Sequence, residues 1–237
     1  MKISELEKLN DMEKKNWWYK NRRTVITNFL SGLSFEKILD YGCGTGATTS
    51  SLKKFGTVLG TDRSKFAMKK ANSNGIETIN FDSVNSSEFS NSFNLITLFD
   101  VLEHIENDHN VLLHLNKLLK NQQFILLTVP AFNFLWSDHD DALSHYRRYT
   151  KKTLSLVLEN SGFKIIRISY FMTWTFPFIG LYRILTKWKK TESSSLKPIP
   201  ETLNNLIEKS FRLENNFLKK RNLQVGNSLI CLAQKYD

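Results

Sequence analysis

Ile38-Leu39-Asp40-Tyr41-Gly42-Cys43-Gly44-Thr45-Gly46 is the stretch on which the reading of this chain turns. A short apolar run ends in an acid and then in alternating glycines. Glycine lets the backbone turn sharply and approach a ligand with no Cβ in the way. The spacing Gly42-x-Gly44-x-x-Ala47 fits the dinucleotide-binding fingerprint, and Asp62 follows Gly42 by 20 residues, where a ribose-binding acid belongs. On these residues alone a nicotinamide-dependent oxidoreductase stays open.

Outward from the loop, strands and helices alternate. Apolar runs predict strands at 37–41, 57–61, 76–81, 93–99, 124–129, 163–170 and 226–233. Helical spacing predicts a helix from the glycine turn to about Lys54, then 65–72, one near 108–119 (Val111, Leu112, Leu115, Leu118, Leu119) and 153–160. Such alternation predicts an α/β, Rossmann-like, seven-stranded, mostly parallel sheet with helices on both faces. Two helical patterns precede it (residues 3–14 and 21–30), separated by Trp17-Trp18-Tyr19. The organisation expected is an N-terminal helical lid (1–32), a cofactor-binding core (33–170), a helical insertion (171–225) and a final core strand (226–237).

Acids mark the expected strand ends. Asp40 precedes the first glycine, Asp62 closes the second strand, Asp82 the third, and Asp100 the fourth. A carboxylate beside the glycine turn disfavours a pyrophosphate and suits a ligand carrying a sulfonium and an ammonium group. Asp62 can accept both hydroxyls of a ribose, and Asp82 the amino group of an adenine. Ligands of open α/β sheets bind at this carboxyl edge.

LDYGCGTG (39–46), GTDRS (60–64), NFDSV (80–84) and FDVLEHI (99–105) resemble, in order and spacing, the four motifs of the class I S-adenosylmethionine-dependent methyltransferases. The resemblance covers roughly 35–170, and GNSLICLAQK (226–235) resembles the family's terminal strand. It implies S-adenosyl-L-methionine as cofactor. Asp40, Gly42, Cys43 and Gly44 would line its methionine moiety, Asp62 with Arg63 its ribose, Asp82 with Ser83 its adenine, and Phe99, Asp100 and Val101 its sulfonium.

Methyl transfer displaces an already activated methyl group, so these motifs say little about the acceptor. The loop expected after the fifth strand, WSDHDDALSHYRRYT (136–150), is dense in titratable and aromatic groups and resembles a segment of bacterial small-molecule methyltransferases, as does WWYKNRR (17–23). His139, slightly ahead of His145, is the expected general base, and Asp138, Asp140 and Asp141 could orient a histidine or hold a divalent metal. His104 is the weaker histidine, with helix capping as its alternative. Trp18, Arg22, Trp136, Tyr146 and Arg147 are the expected acceptor-side residues, and no metal is expected. The reading is transfer to an O or N atom of a small molecule or of a lipid or sugar precursor.

The formal net charge is +10. Residues 1–140 carry 16 Lys/Arg and 16 Asp/Glu, so the excess lies wholly in 141–237, with 17 Lys/Arg against 7 Asp/Glu. That asymmetry fits an anionic partner, such as a membrane surface, or a solvated lysine-rich face. A nucleic-acid methyltransferase is the competing use, but no Asn-Pro-Pro-Tyr-like element ends the fourth strand and no RNA-binding module is recognisable. A charged N-terminus, no apolar run of membrane-spanning length, and two distant cysteines (Cys43, Cys231) point to a reducing, cytoplasmic setting. In the insertion, Phe178, Leu181, Tyr182, Leu185 and Trp188 share one helical side opposite Arg183, Lys187 and Lys190. Burial of that side on the core or a second subunit is favoured over contact with an anionic membrane.

Overall fold

The structure is a computed structural model, and it describes residue 13 and residues 16–84, 87–186 and 201–236. The helical pattern expected at 3–14, the Thr191–Pro200 linker, and Lys187, Trp188 and Lys190 lie outside the described residues. Seven strands form one sheet: β1 (Lys37–Tyr41), β2 (Thr57–Thr61), β3 (Glu77–Thr78), β4 (Phe93–Phe99), β5 (Leu119–Pro130), β6 (Phe163–Phe171) and β7 (Ser228–Lys235). Their order is β3-β2-β1-β4-β5-β7-β6. The pairs from β3 to β5 are parallel, while β7 runs antiparallel between β5 and β6. The expected mostly parallel, seven-stranded sheet is therefore the observed one.

Burial on both faces explains the unbroken apolar runs of the central strands. One face is covered by helices α4 (Asp108–Leu118) and α6 (Lys151–Asn160) through Leu112, Leu115, Leu118, Leu154 and Leu158. The other is covered by α1 (Trp17–Phe29) and α8 (Glu201–Lys220) through Val25, Ile26, Phe29, Phe211 and Leu218. Trp17-Trp18-Tyr19 forms the first turn of α1, capped by Asn16, rather than a separator between helices. Trp17 stacks on Phe211 at 5.2 Å, and Asn215 donates to Asn21 at 2.8 Å, so α8 is fastened to α1.

Several boundaries differ from expectation. After the glycine loop the chain makes only a 3₁₀ turn, Thr49–Leu52. Thr48, Thr49, Ser50 and Ser51 crowd that position, and serine and threonine side chains compete with the helical ladder. Ser50 and Ser51 bond the carbonyls of Gly46 and Thr48, and Thr49 is drawn to Asp40. β3 stops at Thr78 because the Asn80 side chain accepts from the Asp82 amide and starts a short helix, α3 (Phe81–Val84). Asp82 is thus in a helical turn, not at a strand end. Helix α2 (Lys65–Ser73), capped by Ser64, runs as expected. β5 begins five residues early, at Leu119, and β7 starts at Ser228. A Cβ on Gly226 would stand 2.2 Å from the Phe171 carbonyl oxygen.

Strands β1, β4 and β6 are each followed at once by a left-handed residue, Gly42 (φ 83°), Asp100 (φ 55°) and Met172 (φ 61°), and β5 by one two residues past its end, Phe132 (φ 58°). Non-glycine residues pay for this conformation in strain, and such strain gathers at functional edges. It turns the chain abruptly at the carboxyl edge, where β1 lies between β2 and β4 and the crossovers diverge. No helix among the described residues is long and apolar enough to cross a membrane.

Candidate active site

A cavity of about 540 Å³ opens at this edge, within the size range of ligand pockets. Among the residues expected from sequence, its wall brings together Asp40, Gly42, Cys43, Gly44, Phe99 and Asp100 from the sheet edge. Trp18 and Arg22 join from α1, and His139 and His145 from the loop after β5.

The glycine loop is positioned from behind. The amides of Gly42 and Cys43 donate to the Thr61 carbonyl at 2.8 and 3.0 Å. A Cβ on Gly42 would lie 2.4 Å from Val101 Cγ2, whereas one on Gly44 would meet nothing within 4 Å among the described residues. Gly44 therefore leaves open space for a ligand, and Gly42 is required by its neighbour. Asp40 is buried, accepting from Thr49 at 2.5 Å and Thr97 at 2.7 Å. Burial pushes its carboxyl up to about 6 against those two bonds. It braces the loop against the sheet. Asp62 stands one hydrogen bond behind the cavity. Its Oδ2 accepts from the Gly44 amide at 2.9 Å and its Oδ1 from the Ser64 amide at 2.8 Å. Each oxygen keeps a lone pair for a hydroxyl.

Asp82, Ser83 and Arg63 lie farther along the edge, outside the cavity wall. Asp82 is exposed, and the Arg63 guanidinium sits 5.5 Å over the Phe81 ring. Val101 stands behind Gly42.

Arg22 reaches across from α1. Its Nη1 pairs with Asp100 Oδ2, its Nη2 donates to Thr48 at 2.9 Å, and its guanidinium lies 4.8 Å over Trp18. Thr128 donates to the other Asp100 oxygen at 3.1 Å. From the segment before α1, Glu13 accepts from Thr45 of the glycine loop at 2.6 Å.

The loop after β5 folds into α5 (Asp138–Ala142), started by a capping box between Ser137 and Asp140. Asp140 is fully buried and accepts from Ser137, from His145 Nδ1 at 2.9 Å, and from Arg148 Nε and Nη2 at 2.8 and 2.9 Å. Burial would raise its pKa. The bonds from His145 and Arg148 override that and hold it well below the usual carboxylate range. The oriented histidine is therefore His145. The His139 ring makes no hydrogen bond to a described residue, and burial lowers its pKa. Trp136, Tyr146 and Arg147 stand outside the cavity wall. The Trp136 indole donates to Asp141, Arg147 pairs with Asp108 at 3.0 Å, and the Tyr146 side chain is exposed.

Sequence reasoning gave little weight to two wall residues. Glu103 is buried, with one carboxylate oxygen lacking a partner among the described residues, and His104 packs edge-on against His145 with ring centroids 4.5 Å apart. Both sit in FDVLEHI, the motif that carried their signal.

A family model described as a methyltransferase domain matches residues 15–168. The chain belongs to the class I S-adenosylmethionine-dependent methyltransferases. Among curated proteins, the chain is 26% identical over 149 residues to the ubiquinone biosynthesis O-methyltransferase of Glaesserella parasuis serovar 5, covering 52% of this chain and 62% of that one. It is 30% identical over 152 residues to trans-aconitate 2-methyltransferase of Deinococcus radiodurans, covering 61% and 56%. The chain thus spans less than two thirds of either relative. Among solved structures, it matches an Archaeoglobus fulgidus SAM-dependent methyltransferase with TM-score 0.61 at 18% identity, over 96% of this chain and 99% of that one. It matches Haemonchus contortus phosphoethanolamine N-methyltransferase 2 in complex with S-adenosyl-L-methionine with TM-score 0.60 at 18% identity, over 93% and 53%. S-adenosylmethionine is the family's cofactor. The open space before Gly44 and the lone pairs of Asp62 fit it.

Proposed function

We propose that this chain transfers a methyl group to an oxygen or nitrogen of a small or amphiphilic acceptor, with His139 taking the acceptor's proton. Bound S-adenosylmethionine supplies an activated methyl group on sulfur. The chain's residues do the rest. Asp62 and the glycine loop hold the ribose and methionine portions, and Arg22 with Trp18 closes the cavity from the N-terminal lid. His139, lowered by burial and therefore neutral at pH 7, accepts the proton released as the new bond forms. The observation carrying this reading is the single cavity that joins the glycine loop, Asp100 and the unbonded His139 ring. The printed activities of the two curated relatives, an O-methyltransferase and a trans-aconitate 2-methyltransferase, support a small acceptor.

The insertion supports the amphiphilic side of the proposal. Helix α7 (Phe176–Thr186) turns Ile179 and Arg183 to the cavity, while Phe178, Leu181 and Leu185 are 75, 58 and 68% exposed. Together with the basic excess of 141–237, that outward apolar side suits a cytoplasmic protein that touches an anionic membrane peripherally. The test has three arms. S-adenosylhomocysteine should bind by calorimetry, and binding of NADH in its place ends the methyltransferase reading. Labelled methyl should enter a fraction of cell extract, and His139→Ala should cut that turnover by about 100-fold or more while keeping cofactor affinity. Flotation with anionic liposomes should fall when Phe178 and Leu181 become Ser; a wild-type protein that stays unbound at low salt leaves a soluble acceptor.

A further inference from the structure

Burying a carboxylate oxygen with no hydrogen-bond partner is costly, and such a group calls for an explanation. Glu103 is 1% exposed and its Oε2 has no partner among the described residues. Ligand-capable atoms of Glu103, His104 and His145 all lie within 4.8 Å of one another, and all three residues line the cavity. Glu103 and His104 come from the 3₁₀ turn Leu102–His104 after β4, and His145 from the loop after α5. Two sheet-edge loops thus converge on one point.

We propose that Glu103, His104 and His145 hold a divalent cation of the zinc or manganese kind, with an open coordination position facing the cavity. One carboxylate and two imidazoles form a donor set for such ions, and catalytic zinc keeps three protein ligands plus one open position. The surroundings are arranged as metal sites are. Asp140 accepts from His145 Nδ1, which fixes the tautomer and leaves Nε2 for a ligand; a carboxylate behind a metal-binding histidine does this job. Asp140 is itself anchored by Arg148 and Ser137. The two guanidiniums nearby are already paired, Arg22 with Asp100 and Arg148 with Asp140, which leaves the Glu103 carboxyl for a cation. Bond lengths of about 2.1 Å bring ligand atoms to roughly 3–3.5 Å apart, a closure that side-chain rotation supplies.

On the methyl-transfer reading, the open position receives an acceptor hydroxyl and lowers the pKa of its proton before His139 takes it. That role rests on the proposed function; cation binding does not. The test uses the full chain, stripped with a chelator and titrated with Zn²⁺ and, separately, Mn²⁺ by calorimetry, with Mn²⁺ also followed by its paramagnetic resonance. One cation should bind per chain. Glu103→Gln, His104→Ala and His145→Ala should each weaken it by about tenfold or more, and Asp140→Asn by about 10- to 100-fold. S-adenosylhomocysteine affinity and the unfolding midpoint of Glu103→Gln serve as fold controls. A wild-type chain that takes up neither ion, or Glu103→Gln and His104→Ala chains that keep wild-type affinity, overturns the site; Glu103 is then a protonated acid. If S-adenosylhomocysteine fails to bind while the cation does, the methyl-transfer reading fails and the metal site stands.

Discussion

Arg22 on α1 and Asp100 at the end of β4 are joined by an ion pair across the mouth of the cavity, with the arginine side chain 7% and the aspartate side chain 20% exposed. The pair couples a helix outside the sheet to the strained residue that terminates a central strand. Arg22→Ala is expected to cost about 3 kcal/mol, since it strands a largely buried carboxylate. In a double-mutant cycle with Asp100→Ala, urea unfolding should give a coupling of about 1–3 kcal/mol. Additive losses would mean that the pair contributes little.

Gly42→Ala places a methyl group 2.4 Å from Val101 Cγ2 at a φ of 83°. The loop must shift, and the affinity for S-adenosylhomocysteine should drop. Adding Val101→Ala removes the clash but leaves a backbone cost of roughly 1–2 kcal/mol, so the double variant should recover only part of the binding. Calorimetry on the three proteins separates the two effects.

Asp140 gives a signed pH dependence. Its pKa in the folded chain lies below the ordinary 3.8, so its contribution is complete above pH 3.8 and fades as pH falls through the depressed value. Asp140→Asn should lower stability at pH 7 by about 3 kcal/mol and flatten the stability profile in that acid window. Unfolding midpoints measured from neutral to acid pH check both the size and the sign.

Glu214, on α8, accepts from three successive backbone amides just after β6: Met172 at 2.6 Å, Thr173 at 2.9 Å and Trp174 at 3.2 Å. Glu214→Ala orphans all three, for a loss of about 3 kcal/mol, and Glu214→Gln, which keeps one acceptor oxygen, should lose less. Hydrogen exchange at 172–174 should accelerate in the same order.

Much of this was legible in the sequence. Tyr41-Gly42-Cys43-Gly44 after an apolar strand, with acids near the ends of the next strands, announced the sheet and its ligand edge. Local pattern reads strands that are buried on both faces well. It read the Thr48–Ser51 turn and the third strand poorly, because hydroxyl and amide side chains there bond the nearby backbone and overrule the periodicity. Within the loop after β5, spacing alone did not decide which histidine an acid would hold. Ser137 and Asp140 stand at capping-box spacing, and that helix start aims Asp140 back at His145. Glu103 and His104 were plain in FDVLEHI, yet their meeting with His145 is a tertiary fact with no trace in local order.

β7 enters between β5 and β6, so the sheet is closed by residues 228–235, while everything from 172 to 227 leaves and returns at a single edge. The entropic cost of closing such an excursion grows only with the logarithm of its length, about 0.6 kcal/mol per doubling. Residues 172–227 can thus change length at little entropic cost, but only outside α8, whose Phe211 and Leu218 cover the sheet and whose Glu214 holds the amides after β6. Variation in length or polarity elsewhere in the excursion alters what reaches the cavity while the strands that present the glycine loop keep their register.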